Sequence, residues 1–91
     1  MSHLTVTVKF RGKRAQAEWL AQLETFCRAL VAERVASDVR VQAVFPGDRD
    51  AKMAALFTVD LWGARRDMAQ RFQGLRGLEY AELAAPRRAL G

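Results

Sequence analysis

Leu4, Val6, Val8 and Phe10 alternate with Thr5, Thr7 and Lys9. A period of two rich in β-branched residues predicts a half-buried strand. After Arg11-Gly12-Lys13-Arg14 the period changes. Trp19, Leu20, Leu23, Phe26, Cys27, Leu30 and Val31 recur at steps of three and four, so one apolar stripe predicts an amphipathic helix ending between Ala32 and Ala36. Glu24 and Arg28 stand four apart on its polar side, the favourable order for a helical ion pair. Ser37-Asp38 reads as a turn. Val39, Val41, Ala43 and Phe45 alternate with Arg40, Gln42 and Val44 as a second strand, stopped by Pro46-Gly47, a pair with strong turn chemistry. Residues 48–52 form a polar hairpin loop on this reading. Met53 to Trp62 is a third strand, with Phe57, Val59 and Leu61 on one face and Leu56, Thr58, Asp60 and Trp62 on the other. Ala64 to Gln73 is a second helix carrying Met68 and Phe72, with Leu75 continuing the spacing and Gly74 and Gly77 as caps. Leu78 to Leu83 is a last strand.

Two strand–helix–strand halves joined by a hairpin define an α+β, ferredoxin-like βαββαβ two-layer sandwich. Each helix has one apolar stripe, so both cover the same face of a four-stranded antiparallel sheet. The other face is open. Its apolar members, Val44, Leu56 and Trp62, are the candidate interface for a homodimer or a partner domain. The chain forms one domain, 1–91, with an ordered core of about 4–84 and a basic tail, 85–91, around Pro86-Arg87-Arg88.

Composition narrows the chemistry. The 91 residues carry 15 Lys and Arg against 10 Asp and Glu, a net charge of +5, which suits an anionic partner. Cys27 is the single cysteine. It can form no intramolecular disulfide and suits a reducing, cytoplasmic setting. No signal peptide and no membrane span are expected. His3 is the one histidine, and Ser2 and Ser37 are the only serines, so a Ser–His–acid triad and a Cys/His metal site are not expected. Cys27 falls on the apolar stripe, as a small buried hydrophobe would. Asp48 and Asp50 are flanked by Arg49 and Lys52, which opposes cation binding and reads as a solvated loop. Glu79 and Glu82 point to opposite faces of a regular strand, which separates them as an acid–base pair. No catalytic residue, metal or cofactor is expected. Arg11, Gly12, Lys13 and Arg14 precede a helix N-terminus, where backbone N–H groups and basic side chains attract a phosphate or carboxylate. The outward positions of the first strand hold no aromatic and the third strand lacks an RNA-recognition signature, so nucleic acid is not the expected partner.

The last third of the chain runs Met68-Ala69-Gln70-Arg71-Phe72-Gln73-Gly74-Leu75-Arg76-Gly77-Leu78-Glu79-Tyr80-Ala81-Glu82-Leu83. This helix, glycine, apolar residue and short strand resembles the ending of ACT-type regulatory domains. Across residues 4–83 the layout is similar to the ACT-like cytoplasmic C-terminal domains of MgtC/SapB-type bacterial membrane proteins, including the Thr5-Val6-Thr7-Val8 character of the first strand. The resemblance implies a non-catalytic regulatory or oligomerisation module, the cytoplasmic part of an inner-membrane protein linked to magnesium transport and homeostasis. Gly12 occupies the place of the glycine turn of ACT amino-acid binders. Arg11, Lys13 and Arg14 depart from the small and acidic residues usual there, which moves the implied ligand toward an anion. The alternatives are a nucleic-acid-binding ferredoxin-like domain and a small ferredoxin-like enzyme.

Overall fold

The computed structural model describes residues 3–83. The basic tail proposed for 85–91 lies outside them. The elements are β1 (His3–Phe10), α1 (Gln16–Ala32), β2 (Asp38–Ala43), a single helical turn α2 (Ala51–Ala54), β3 (Leu56–Trp62), a 3₁₀ segment (Arg66–Gly74) and β4 (Leu78–Leu83). The strands form one antiparallel sheet in the order β2-β3-β1-β4. This is an α+β fold with an open four-stranded sheet, consistent with the ferredoxin-like layout expected from the hydrophobic pattern. The Cα trace is a slab of 36 × 36 × 18 Å, the shape of one sheet covered on one side.

The period-two residues of β1 and β3 build the floor of the core. Val6, Val8, Phe57, Val59 and Leu61 are fully buried and Phe10 nearly so. The α1 stripe seals them through Trp19, Leu23, Cys27 and Leu30, and the 3₁₀ segment through Met68 and Phe72. Phe26 is only half-buried and meets Phe72 edge-on, ring centroids 4.9 Å apart. No polar or charged residue is buried among the described residues.

Four expectations need correction. The third strand begins at Leu56, not Met53, because Asp50 caps a helical turn, accepting from Lys52 N at 2.9 Å. A side-chain oxygen bonded to the N2 amide is what starts a helix, and it takes Met53 out of the sheet. Phe45 lies beyond the end of β2 and is 41% exposed. There Phe45-Pro46-Gly47-Asp48 closes with Asp48 N donating to Phe45 O, and Gly47, at φ +73°, fills the position a type II turn reserves for glycine. The second helix is 3₁₀ rather than α. It is nine residues long and bracketed by i→i−3 bonds, Met68 N to Arg65 O and Leu75 N to Phe72 O, both 3.1 Å, as short tight segments are. Finally, β4 is not regular. Lys9 pairs with Tyr80 but Phe10 pairs with Leu78, so Glu79 is an extra residue in the ladder. This bulge puts Glu79 and Glu82 on the same, open side. Lys9 Nζ meets Glu79 at 3.2 Å there, and Glu82 stands opposite Thr7.

Candidate functional site

The open face of the sheet is a set of cross-strand rows. Asp38, Trp62 and His3 are in register, as are Arg40, Asp60 and Thr5, then Gln42, Thr58, Thr7 and Glu82. Cross-strand neighbours on one face interact directly. Asp60 Oδ1 accepts from Thr5 Oγ1 at 2.8 Å and lies 2.9 Å from His3 Nε2, while the His3 ring stacks on Trp62 at 5.0 Å. The middle of the face is therefore polar, and its Asp60 is paired within the chain.

Its apolar members divide between two ends. Val44 and Leu56 are neighbours, with Val44 N donating to Leu56 O at 3.0 Å. Trp62 stands six residues further along β3, about 20 Å away at strand rise. The three expected interface residues thus do not form one patch. Beyond the strands at the Val44 end of the sheet, Phe45 and Met53 are also exposed. Val44, Phe45 and Met53 are 38%, 41% and 43% exposed. The backbones carrying Phe45 and Met53 are tied together by Gln16 at the start of α1. Its Nε2 donates to Phe45 O and to Ala54 O, each at 3.1 Å, and its Oε1 accepts from Gly47 N at 3.0 Å. Nothing in the spacing of Gln16 announced this clamp, since its partners are some thirty residues distant in the chain.

The basic turn is largely self-satisfied. Arg14 Nε donates to Glu18 at 2.9 Å, Arg14 Nη1 to Gln22 at 3.3 Å, and the guanidinium lies 4.8 Å over the Trp19 ring. Arg11 is mostly exposed and stands 3.8 Å from Glu79. Gly12 and Lys13 are exposed. Helix α1 begins at Ala15 without a side-chain cap. Beneath the turn, the Trp19 ring is buried face to face with Phe10 at 4.5 Å, and its Nε1 has no hydrogen-bond partner among the described residues.

Cys27 is 1% exposed, and burial, with a smaller effect from Glu24, pushes its thiol up to about 12. Burial of this kind holds the thiol in its protonated form at neutral pH. Among the described residues no group of three or more His, Cys, Asp and Glu could hold a metal ion, and no helix is long and apolar enough to cross a membrane.

One concavity was missed altogether. A groove of about 430 Å³ lies between the end of α1 and the start of the 3₁₀ segment, and Arg34, Arg65 and Arg71 line it. These arginines are scattered in the sequence and share no motif. The usable signal was Arg34, a non-glycine residue just past a helix end.

The class these features define is a small α+β domain with a one-sided helix layer and an open sheet face. Comparison with protein-family models, curated proteins and solved structures finds no match to the chain.

Proposed function

We propose that the chain is a ferredoxin-like, ACT-like regulatory module, non-catalytic, that works by associating with a second copy of itself through the open side of its sheet. The observation that carries this reading is that three large apolar residues, Val44, Phe45 and Met53, are exposed at the Leu56 end of the sheet. Exposed large apolar side chains favour a partner that removes them from water. The mixed charge of the neighbouring rows, with Lys9 and Arg40 against Asp38, Asp60, Glu79 and Glu82, suits contact with a copy of the same surface. The strand order, antiparallel throughout, supports the ferredoxin-like reading. Placement within a MgtC-type membrane protein, with its link to magnesium homeostasis, rests on the pattern of residues 68–83.

The test is sedimentation velocity from micromolar to millimolar concentration. A reversible monomer–dimer equilibrium is expected. Phe45→Lys combined with Met53→Lys should abolish it while the melting temperature of the monomer stays unchanged. A wild-type chain that remains monomeric at millimolar concentration would sink the proposal.

A further inference from the structure

The groove at the end of α1 holds the only non-glycine residue with positive φ among the described residues, Arg34 at +61°. Its local setting is a Schellman ending: Val35 N donates to Leu30 O at 2.9 Å and Arg34 N to Val31 O at 3.0 Å. That motif places its C′ residue in the left-handed region and normally fills it with glycine or asparagine. Any residue with a Cβ is disfavoured there by about 1–2 kcal/mol. Arginine is therefore a costly occupant of this position, and its side chain lines the groove without an ion-pair or hydrogen-bond partner among the described residues. Strain at a concave surface is a reason to ask what the side chain does.

Two further guanidiniums line the same groove. Arg65 is 89% exposed, and its 3.9 Å approach to Asp67 is a surface contact that holds it weakly. Arg71, also in the lining, donates through Nη2 to both Glu33 oxygens, at 3.1 and 3.3 Å. Asp67 is the one carboxylate in the lining. Val35 and the nearly buried Met68 supply an apolar wall. The 3₁₀ segment opens beside the groove with no side-chain cap, so its first amides lack partners within the helix. The volume falls in the range of small-ligand pockets.

We propose that this groove binds a small phosphate monoester, with the phosphate between Arg34 and Arg65 and the organic body against Val35 and Met68. Guanidinium forks match phosphate oxygens, and more than one fork suits a dianion. The site is separate from the Arg11–Arg14 turn, where Arg14 is already bonded to Glu18 and Gln22. It is also independent of the self-association reading.

The experiment is amide NMR titration with inorganic phosphate and with phenyl phosphate, at ionic strength held constant with sodium chloride. Saturable shifts at Arg34, Val35, Arg65 and Met68 are expected, with phenyl phosphate binding more tightly than phosphate. Arg34→Gly should weaken binding about tenfold, the loss of one charge-assisted contact, although glycine suits the backbone at that position. Arg65→Ala should weaken it similarly. Glu33→Gln should tighten it, by releasing Arg71 and removing a nearby negative charge. Affinity unchanged in Arg34→Gly and Arg65→Ala, or shifts reproduced by chloride alone, would overturn the proposal. So would a short RNA that outcompetes phenyl phosphate and shifts Arg11–Arg14 as strongly as the groove, since that pattern marks a nucleic-acid surface.

Discussion

Trp19 packs against Phe10, Arg14 and the backbone at Gly77. Its ring is stacked on Phe10 from below and covered by the Arg14 guanidinium. At its edge the chain must pass very close. A Cβ on Gly77 would lie 2.9 Å from Trp19 Cη2 and 3.0 Å from Cζ3, and Gly77 has φ +77°. Arg11 N donates to Gly77 O at 2.7 Å, so this backbone has no freedom to retreat. Gly77→Ala therefore meets both a steric clash and a disfavoured dihedral. It should cost about 2–4 kcal/mol, read by urea denaturation, and a change within experimental error would mean the ring can move aside. Trp19 itself was legible, because its place on the helical stripe required burial. The role of Gly77 was not. In the linear chain it looks like a helix cap, and only the folded position of Trp19 turns it into a packing requirement.

At the scale of elements, what could be read depended on whether periodicity or local bonding decided the outcome. The burial of β1 followed from alternation alone. The start of β3 did not, because the apolar run from Met53 onward continues through a helical turn that Asp50 initiates. The bulge at Glu79 is also invisible to alternation, since one inserted residue reverses the faces of everything before it. The connection between β2 and β3 is tied to α1 through the Gln16 side chain, and that makes it testable. Gln16→Ala removes three hydrogen bonds to Phe45, Gly47 and Ala54. With these groups partly open to water, the loss should be about 1–2 kcal/mol. Hydrogen exchange should quicken across residues 44–55 and remain slow in β1. If exchange rises evenly over the whole sheet, Gln16 is not a local clamp.

For the whole molecule, the sequence pattern announced one covered and one open face, and the register spreads the apolar members of the open face along the sheet. Val44, Leu56 and Trp62 share a face by alternation, yet the register separates them by the length of β3. Trp62 is half-buried and stacked on His3, beside the Asp60 and Thr5 pair. Most of its apolar surface is already used within the chain. The exposed area lies at the opposite end, where a turn and a short helix interrupt the pattern that would have revealed it. The two ends should therefore respond differently to mutation. Trp62→Ala should lower folding stability by removing the stacked ring and loosening β1 against β3, and should change the dimer dissociation constant little. Phe45→Lys with Met53→Lys should do the reverse, since both side chains are more than a third exposed and contribute little to the core. Measuring the thermal midpoint and the sedimentation constant for both variants separates the two effects. If Trp62→Ala breaks the dimer while the melting temperature holds, the association surface is centred on the His3–Trp62 row, and the apolar end around Phe45 faces some other partner.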